Sequence, residues 1–203
     1  MSPRNALELE LEKLKRLATA GYLLALHIRF AAPLVKFQTY NQKWIDHYTA
    51  QAYHLRDPMV AWGFTQEGKT RWSEISVPDT FGIMREAAEY GMPFGAAIAC
   101  GPIASRSICG FARPDREFTD AEIDMLEEIV CRLHNLTEPP ESLTQAQKDA
   151  LRLIAAGDRH AAAAAKLGIS ESALKARLTS ARQRLMARTT AEALQRAQEY
   201  RLL

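Results

Sequence analysis

The sequence has few of the residues on which disulfide-stabilised or metal-dependent proteins rely. Its 203 residues include three cysteines, Cys100, Cys109 and Cys131, which form neither a CxxC motif nor a Cys/His ligand spacing. An odd number of scattered cysteines does not suit a disulfide framework. We therefore expect reduced, buried thiols that behave as small apolar side chains, and no metal site.

Long apolar runs are also absent. No segment approaches the roughly 18 consecutive apolar residues of a membrane-spanning helix. An apolar signal core is missing from the N-terminus, which begins MSPRNALELELEKLKRL. These absences predict a cytoplasmic protein that has no membrane partner.

Signatures of catalysis are missing as well. The chain has no nucleophile elbow, no phosphate-binding glycine loop and no Ser/His/Asp order. Asp57 has no evident acid–base partner in the sequence. We predict that the protein is not an enzyme and that it needs no cofactor.

Positive charge is concentrated in the C-terminal part of the chain. From Pro139 to Leu203 there are 11 Lys/Arg and 6 Asp/Glu, a net charge of +5, whereas the preceding part holds 15 and 18, a net charge of −3. A basic excess of this size is a pointer to nucleic acid, although a solvated helix face can have the same composition.

Helical and strand-like patterns alternate over the first two thirds of the chain. The pattern predicts a helix over 5–20, strands within 22–30 and 34–40, helices starting at Asn41 and Asp57, an extended segment at 69–73, a helix over 79–90, strands within 93–103 and 105–115, and a long helix capped by Thr119. This order predicts an α+β fold, an α/β/α sandwich around an antiparallel sheet. Small residues in the second pair of strands leave room for a ligand or for neighbouring helices.

The remainder of the chain is predicted to be entirely helical. TEPPES, from Thr137 to Ser142, ends the long helix and stiffens a linker because it contains two prolines. We assign 1–137 to the first domain, 138–142 to the linker and 143–203 to a small all-α domain. In this second domain a short helix, the turn GIS and a longer basic helix capped by Ser170 have the layout of a helix-turn-helix. Thr190 is predicted to cap the last helix.

The richest candidate site lies between Tyr40 and Trp72. Tyr40, Trp44 and Tyr48 recur every four residues, which stacks three rings on one helix face, and Asp57 follows just before a proline. Aromatic rings with polar tips around one carboxylate suit a small ligand that is partly apolar and carries amide and carbonyl groups. The same pattern also fits a plain aromatic core and a helix cap.

In order and spacing, these five residues resemble the signal-binding domain of the LuxR-type quorum-sensing regulators. The segments LTQAQKDALRLIAAG and LGISESALKARLTSARQRL resemble the C-terminal DNA-binding module of the same family. The resemblance covers nearly the whole chain. It implies a transcriptional regulator that binds an N-acyl-homoserine lactone in 1–137, forms a homodimer and binds double-stranded DNA through 143–203.

The resemblance also implies a role for each side chain of the candidate site. Trp44 would donate to the lactone carbonyl, Asp57 would accept from the ligand amide N–H, and Tyr40 would donate to the acyl carbonyl. Tyr48 and Trp72 would form the walls around the acyl chain and the ring. Every polar group of the ligand then meets a group of the opposite type, and leaving one unmatched would cost about 1–3 kcal/mol.

The sequence departs from the family pattern at several positions. Met59 and Ala112 stand where some members have a hydroxyl. Neither side chain can supply that hydrogen bond, which predicts weaker binding of the ligand amide and a more apolar pocket. Gln147 stands where the family commonly has Glu, and fewer helices than usual precede the first strand. Two alternatives therefore stay open: an orphan regulator that binds another molecule or none, and a truncated-type regulator that pairs with a relative.

The candidate DNA-binding residues lie on the third helix of the second domain. Lys175 and Thr179 resemble the pair that reads bases in the family, and the arginines are better placed for phosphates. As an alternative, surface arginines are often simply solvated. The full set of candidates is Ser172, Lys175, Arg177, Thr179, Arg182 and Arg184.

Overall fold

The computed structural model describes residues 3–29, 32–138, 143–200 and 202–203. The chain divides into two compact units, Met1–Thr137 and Glu138–Leu203. The prolines of the expected linker, Pro139 and Pro140, lie outside the described residues.

The first unit contains five strands and five α-helices among its described residues. The strands are β1 (Gly21–Arg29), β2 (Ala32–Gln38), β3 (Gly68–Arg71), β4 (Phe94–Cys100) and β5 (Arg106–Arg113). The helices are α1 (Pro3–Leu17), α2 (Gln42–Ala50), α3 (Pro58–Thr65), α4 (Ile83–Glu89) and α5 (Asp120–Leu136).

The strands form one antiparallel sheet in the order β2-β1-β5-β4-β3. Helices cover both faces, with α1 and α5 packed on one and α3 packed against β4 and β5 on the other. The predicted α+β fold with an antiparallel sheet is therefore confirmed. Trp72 lies just beyond β3, in a short 3₁₀ turn over Trp72–Glu74, rather than within the strand.

The two faces of β4 and β5 are distinguished by side-chain alternation. Ile98 and Phe111 point toward α1 and α5 and join a large aliphatic core. Ala97 and Ala99 belong to the opposite face, where they pack with Met59 and other side chains near α3. The small residues of the sequence thus collect on the α3 face.

Local sequence signals explain where the helices begin. The Asn41 side chain accepts from Lys43 N and caps α2. Thr119 caps α5 through a capping box with Glu122, as expected. The helix expected from residue 79 begins later, at Ile83, because the Asp79 carboxylate accepts from the backbone N–H groups at the start of α4 instead of joining the helix.

The second unit consists of four helices in its described part. They are α6 (Gln145–Ala155), α7 (His160–Lys166), α8 (Glu171–Arg184) and α9 (Thr190–Glu199). Gly168 adopts a positive φ of 64° between α7 and α8, and Ser170 caps α8. The last helix is capped by Thr189 and not by Thr190, since the Thr189 hydroxyl accepts from Glu192 N.

The expectation that all three thiols are buried is corrected by the structure. Cys109 is buried, but Cys100 and Cys131 are partly exposed, and their sulfur atoms lie 3.0 Å apart. His27 is fully buried at a bulge in β1, where it has a φ of 53°. Its Nε2 donates to the His134 carbonyl at 2.9 Å, so the ring is hydrogen-bonded.

None of the described helices combines the length and the apolar character that crossing a bilayer demands.

Candidate functional site

A cavity opens between the α3 face of the sheet and the helices α2, α3 and α4. Five of the six predicted ligand-binding residues line it, namely Tyr40, Trp44, Tyr48, Asp57 and Trp72. The volume open to the centre of a water molecule is about 40 Å³. Such a volume holds a few waters, so an acylated ligand requires the walls to move apart.

The aromatic wall follows from the spacing on α2. Trp44 and Tyr48 lie one turn apart, with ring centroids 5.6 Å apart in an edge-to-face arrangement. Trp44 also lies 5.3 Å from the ring of Tyr90, and only 5% of its surface is exposed. Trp44 is therefore held between its own helix and the end of α4, which fixes its indole at the cavity.

Asp57 serves both as a helix cap and as a wall of the cavity. Its Oδ1 accepts from Met59 N at 2.8 Å, which caps α3, and its Oδ2 accepts from the Tyr48 hydroxyl at 2.7 Å. The side chain is buried, and this burial raises the pKa of the carboxyl despite these hydrogen bonds. The carboxylate also accepts from the Val60 backbone N–H, and because its two oxygens offer about four acceptor sites, Asp57 can accept one more N–H from a ligand.

Two buried donors in the wall of the cavity are unmatched. The Tyr40 hydroxyl and the Trp72 indole N–H have no hydrogen-bond partner among the described residues. Burial is the main cause that raises the pKa of the Tyr40 hydroxyl, and the nearby Asp57 carboxylate raises it further. The hydroxyl therefore keeps its proton. Burial likewise raises the pKa of Tyr48, so both phenols are donors at neutral pH.

Two glycines on the sheet make room for this wall. A Cβ at Gly95 would lie 2.1–2.5 Å from atoms of the Trp72 ring, so the indole rests directly on the backbone of β4. A Cβ at Gly110 would lie 2.6 Å from the Met59 sulfur and 3.0 Å from the Tyr40 hydroxyl. The absence of side chains at these positions allows the aromatic groups to approach the sheet.

The outer side of the cavity is held by polar contacts. The Glu86 carboxylate on α4 accepts from the Tyr53 hydroxyl at 2.7 Å and lies 2.7 Å from His47 Nε2 on α2. These two contacts lower the pKa of the Glu86 carboxyl, with His47 contributing most. They join α4 to α2 and to the 3₁₀ turn Tyr53–Leu55 that follows it.

Some lining residues escaped the sequence interpretation. Gln38 and Leu23 face each other across β1 and β2, and alternation from Tyr40 would have identified Gln38. The others are Ile83, Met84 and Ala87 of α4. The sixth predicted residue, Ala112, is fully buried and packs with Tyr40, Trp44, Tyr48 and Trp72, all of which line the cavity, although it is not among the lining residues itself.

The candidate DNA-binding residues all lie on α8. Leu174, Leu178 and Ala181 face the core of the second unit, so the opposite side of the helix is exposed. Ser172, Lys175 and Arg184 are exposed, whereas Arg177, Thr179 and Arg182 are half-buried.

Two further contacts of α8 bear on its candidate residues. Arg182 Nη2 donates to Thr179 Oγ1 at 3.0 Å, which ties these two side chains together. Gln183 was missed, although it is exposed and lies one turn beyond Thr179. On the other side, Gln147 donates to Ser180 Oγ at 3.0 Å and links α6 to α8.

Comparison with known proteins identifies the family of the first unit. The model of the autoinducer binding domain matches residues 17–137, which is more than half of the chain. Comparison with curated proteins finds no match.

Solved structures share the fold over the whole chain. SdiA of Escherichia coli is 18% identical with a TM-score of 0.54, covering 100% of this chain and 92% of that one. A structure described as SdiA in complex with octanoyl-rac-glycerol is 18% identical with a TM-score of 0.53, covering 98% of this chain and 88% of that one. At this identity the likeness concerns the fold alone.

The cavity and the family match agree on the kind of molecule this is. The members of this family bind small-molecule signals rather than cofactors, and they are receptors rather than enzymes. The chain therefore belongs to the autoinducer-binding family of LuxR-type quorum-sensing regulators.

Proposed function

We propose that the chain is a transcriptional regulator that binds an N-acyl-homoserine lactone in residues 1–137 and double-stranded DNA through 143–203. The observation that carries the ligand proposal is the meeting of one buried carboxylate, Asp57, with aromatic donors in a single cavity. A ligand with one amide N–H, two carbonyls and an apolar tail matches this set of groups.

Each polar group of such a ligand has a partner of the opposite type in the cavity. Asp57 accepts from the amide N–H, the Tyr40 hydroxyl donates to the acyl carbonyl, and Trp44 donates to the lactone carbonyl. Tyr40 supports this assignment because its hydroxyl is buried without a partner among the described residues. Ligand binding would then remove the cost of an unmatched donor, about 1–3 kcal/mol.

A panel of acyl-homoserine lactones of increasing chain length tests the proposal by the melting temperature of the purified full chain. We expect a saturable rise for one chain-length class, since a ligand that binds the folded state stabilises it by mass action. The rise should be lost in Asp57→Asn and Trp44→Phe, which remove the acceptor charge and one donor. Folded protein that is free of co-purified ligand and shows no shift with any lactone would contradict the proposal.

A second ligand class belongs in the same panel. The structure of SdiA in complex with octanoyl-rac-glycerol shows that protein with an acyl ester of glycerol. Such a ligand has an apolar tail and hydroxyl donors but no amide N–H. If it binds this chain, its hydroxyl groups replace the amide as donors to Asp57, and Asp57→Asn should weaken it less than it weakens a lactone.

The DNA proposal rests on α8 and the turn before it. Lys175 and Ser172 are exposed on the side of the helix opposite to its core residues, and Gln183 extends the same side. Lysine and glutamine at such positions can donate to base edges in the major groove, while Arg184 suits a phosphate. Arg177, Thr179 and Arg182 are half-buried and would contribute through the phosphate backbone or by positioning the helix.

Binding of the full chain to duplex DNA at several salt concentrations tests this part. We expect affinity to fall with salt, and Arg184→Ala to reduce the slope of log affinity against log salt by about 0.9 if it contacts one phosphate, whereas Lys175→Ala should weaken binding and relax base specificity. Lys43→Ala, an exposed lysine of the first unit, is the matched control and should leave the slope unchanged. A slope that none of these substitutions alters would argue against α8.

We also propose that the regulator acts as a homodimer in the cytoplasm, because two such modules can read two half-sites. An orphan regulator and a truncated-type regulator that pairs with a relative are the alternatives. Sedimentation of the full chain with and without ligand distinguishes them. A chain that stays monomeric, binds no duplex DNA and suppresses DNA binding by a relative would favour the second alternative.

A further inference from the structure

Two of the three cysteines lie together on the α1/α5 face of the sheet, away from the ligand cavity. Cys100 is the last residue of β4, Cys131 lies within α5, 31 positions further along the chain, and their sulfur atoms are 3.0 Å apart. Both side chains are partly exposed, whereas Cys109 is fully buried. Two thiols that contact each other and the solvent are therefore distinct from a third thiol that solvent does not reach.

The chain that follows β4 comes close to α5 because Gly101 has no side chain. A Cβ at Gly101 would lie 2.4 Å from Cε1 of His134, which is one turn beyond Cys131 on the helix. Gly101 also has a φ of 87°, which residues with a side chain rarely adopt. Gly101 thus holds Cys100 against α5. To reach the ~2.05 Å of an S–S bond, the two sulfur atoms need to approach each other by about 1 Å.

Cys100 is the member of the pair that keeps its proton. Burial, and then the hydrogen bond to Cys131, raises the pKa of the Cys100 thiol to about 12. Its S–H group can therefore donate to the Cys131 sulfur. A thiolate at Cys131 is stabilised by this donor, so Cys131 is suited to act as the nucleophile and Cys100 as the second, resolving thiol.

A buried cation lies beside the pair. Arg106 precedes Ser107, which is the strand partner of Cys100, and its guanidinium charge acts to lower the pKa of Cys100. Its Nε and Nη1 have no hydrogen-bond partner among the described residues. The Glu67 carboxylate, 3.4 Å from Nη1, acts in the opposite sense, but it is exposed and is screened by solvent. Cysteines that react with oxidants have a partly exposed environment with a positive charge of this kind.

We propose that Cys100 and Cys131 form a redox site, in which hydrogen peroxide oxidises the two thiols to an intramolecular disulfide. The Cys131 thiolate attacks one peroxide oxygen and the O–O bond breaks, which gives a sulfenic acid. The leaving oxygen takes up the proton that Cys131 released and departs as water. Cys100 then loses its proton and attacks the Cys131 sulfur, so that the S–S bond forms, the S–O bond breaks and a second water leaves. The two thiols lose two hydrogens, and their two electrons reduce the peroxide to two waters.

The disulfide would join the end of β4 to α5 and would close a loop between residues 31 positions apart. Closing such a loop lowers the entropy of the unfolded chain, so the oxidised, ligand-free chain should melt roughly 5 °C higher than the reduced chain. Neither cysteine lines the cavity. The redox site therefore does not depend on the ligand proposed above, and its failure would leave that proposal standing.

The experiment treats the purified, reduced full chain with hydrogen peroxide, unfolds it, and counts the remaining thiols by alkylation and mass spectrometry. We expect a loss of two hydrogens per chain, one alkylated thiol at Cys109, and a cross-linked peptide that contains Cys100 and Cys131. Three free thiols, under conditions that fully oxidise dithiothreitol, would overturn the proposal. A disulfide between two chains in place of the internal one would overturn it as well.

Serine variants test the role of each thiol. Cys100→Ser keeps a hydroxyl that can donate to Cys131 but cannot form a disulfide, so a sulfenic acid should accumulate at Cys131 and be trapped by dimedone. Cys131→Ser should react with peroxide at least 10-fold more slowly. Cys109→Ala is the matched control and should form the disulfide at the wild-type rate. Equal rates in the two serine variants would overturn the assignment of Cys131 as the nucleophile.

A measurement on wild type alone keeps the inference open to failure if a variant does not fold. The oxidised chain and the same sample after reduction with dithiothreitol are compared by their melting temperatures without ligand. We expect the higher melting temperature of the oxidised chain to be reversed by reduction. A melting temperature that is unchanged or lowered while the disulfide is present would overturn its stabilising role.

Discussion

On the α1/α5 face of the sheet, large side chains such as Phe111, Phe118 and Leu126 fill the space completely, whereas the α3 face carries Gly95, Ala97 and Gly110. On the first face, large aliphatic and aromatic side chains from the strands, from α1 and α5 and from the segment before α5 pack together. On the second face the bulk comes from outside, from rings on α2 and after β3. The same sheet therefore has one face suited to stability and one that leaves room for a ligand.

The difference extends to the polar atoms. Glu10 of α1 is buried as well, but its carboxylate is paired with Lys13 and Arg132. In the cavity wall, Asp57 is buried with a raised pKa, and two donors are unmatched among the described residues. Groups that are costly to bury tend to mark functional sites. A bound ligand would give the two buried donors of the α3 face the hydrogen-bond partners that they lack among the described residues.

Phe111→Ala should have the largest effect and should act on stability alone. Phe111 is fully buried between β5 and the two helices of its face, and truncating such a ring costs about 3–5 kcal/mol. We expect a melting temperature lowered by roughly 10 °C for a chain of this size, measured by circular dichroism. A variant that keeps the wild-type melting temperature would show that the α1/α5 face is not the stabilising one.

Gly95→Ala should act on the other face and mainly on ligand binding. The new methyl group would overlap the Trp72 ring, so the indole must leave the sheet, at a cost of about 1–3 kcal/mol. We expect lactone affinity to fall much more than stability, as measured by calorimetry and by the melting temperature of the ligand-free protein.

Gly110→Ala is the control for this substitution. Its methyl group would meet chiefly the end of Met59, which is flexible and can move aside. Its effect on lactone affinity should therefore be smaller than that of Gly95→Ala. Equal losses in the two variants would contradict the role assigned to the Trp72 ring.

How far the sequence predicts this architecture depends on the distance over which each contact acts. Local signals held in part: the step from Trp44 to Tyr48 on α2 and the caps at Asn41 and Thr119 were predicted. Tyr40 was expected on the same helix face, but α2 begins at Gln42, so Tyr40 precedes the helix and reaches the cavity wall from the segment after β2. The contacts between distant segments were not predictable, because no local pattern specifies which strand pairs with which. Leu23 and the α4 residues Ile83, Met84 and Ala87 line the cavity beside Gln38 through such contacts between distant segments.

The errors have local physical causes. A helix start was misplaced at residue 79 because Asp79 caps from outside the helix, and sequence alone does not distinguish these two uses of Asp. Glu86 was overlooked because its partner Tyr53 lies 33 positions away in the chain.

Asp57→Asn should abolish ligand binding and should stabilise the ligand-free protein. Because burial raises the folded pKa of Asp57, its favourable contribution is present at low pH and is lost as pH rises through that folded pKa. Asparagine is uncharged and still caps a helix, so the ligand-free variant should be more stable than wild type at neutral pH. The difference between the two melting temperatures should shrink as pH falls. A difference that is constant with pH would refute this account of the carboxylate.

Glu86→Gln should have the smallest effect, because the carboxylate is partly solvated. Its pKa is lowered by His47 and Tyr53, so the stabilisation is present above the unfolded value and is lost as pH falls through the folded one. With 28% of its side chain exposed, we expect at most ~1 kcal/mol at neutral pH. Glu89→Gln on the same helix is the control, and thermal melts across the acid range give the measurement. If loss of the Glu86 charge also weakens lactone binding, then polar contacts outside the cavity hold the cavity walls in place. If only stability changes, then the rings and the sheet position the ligand without these polar contacts.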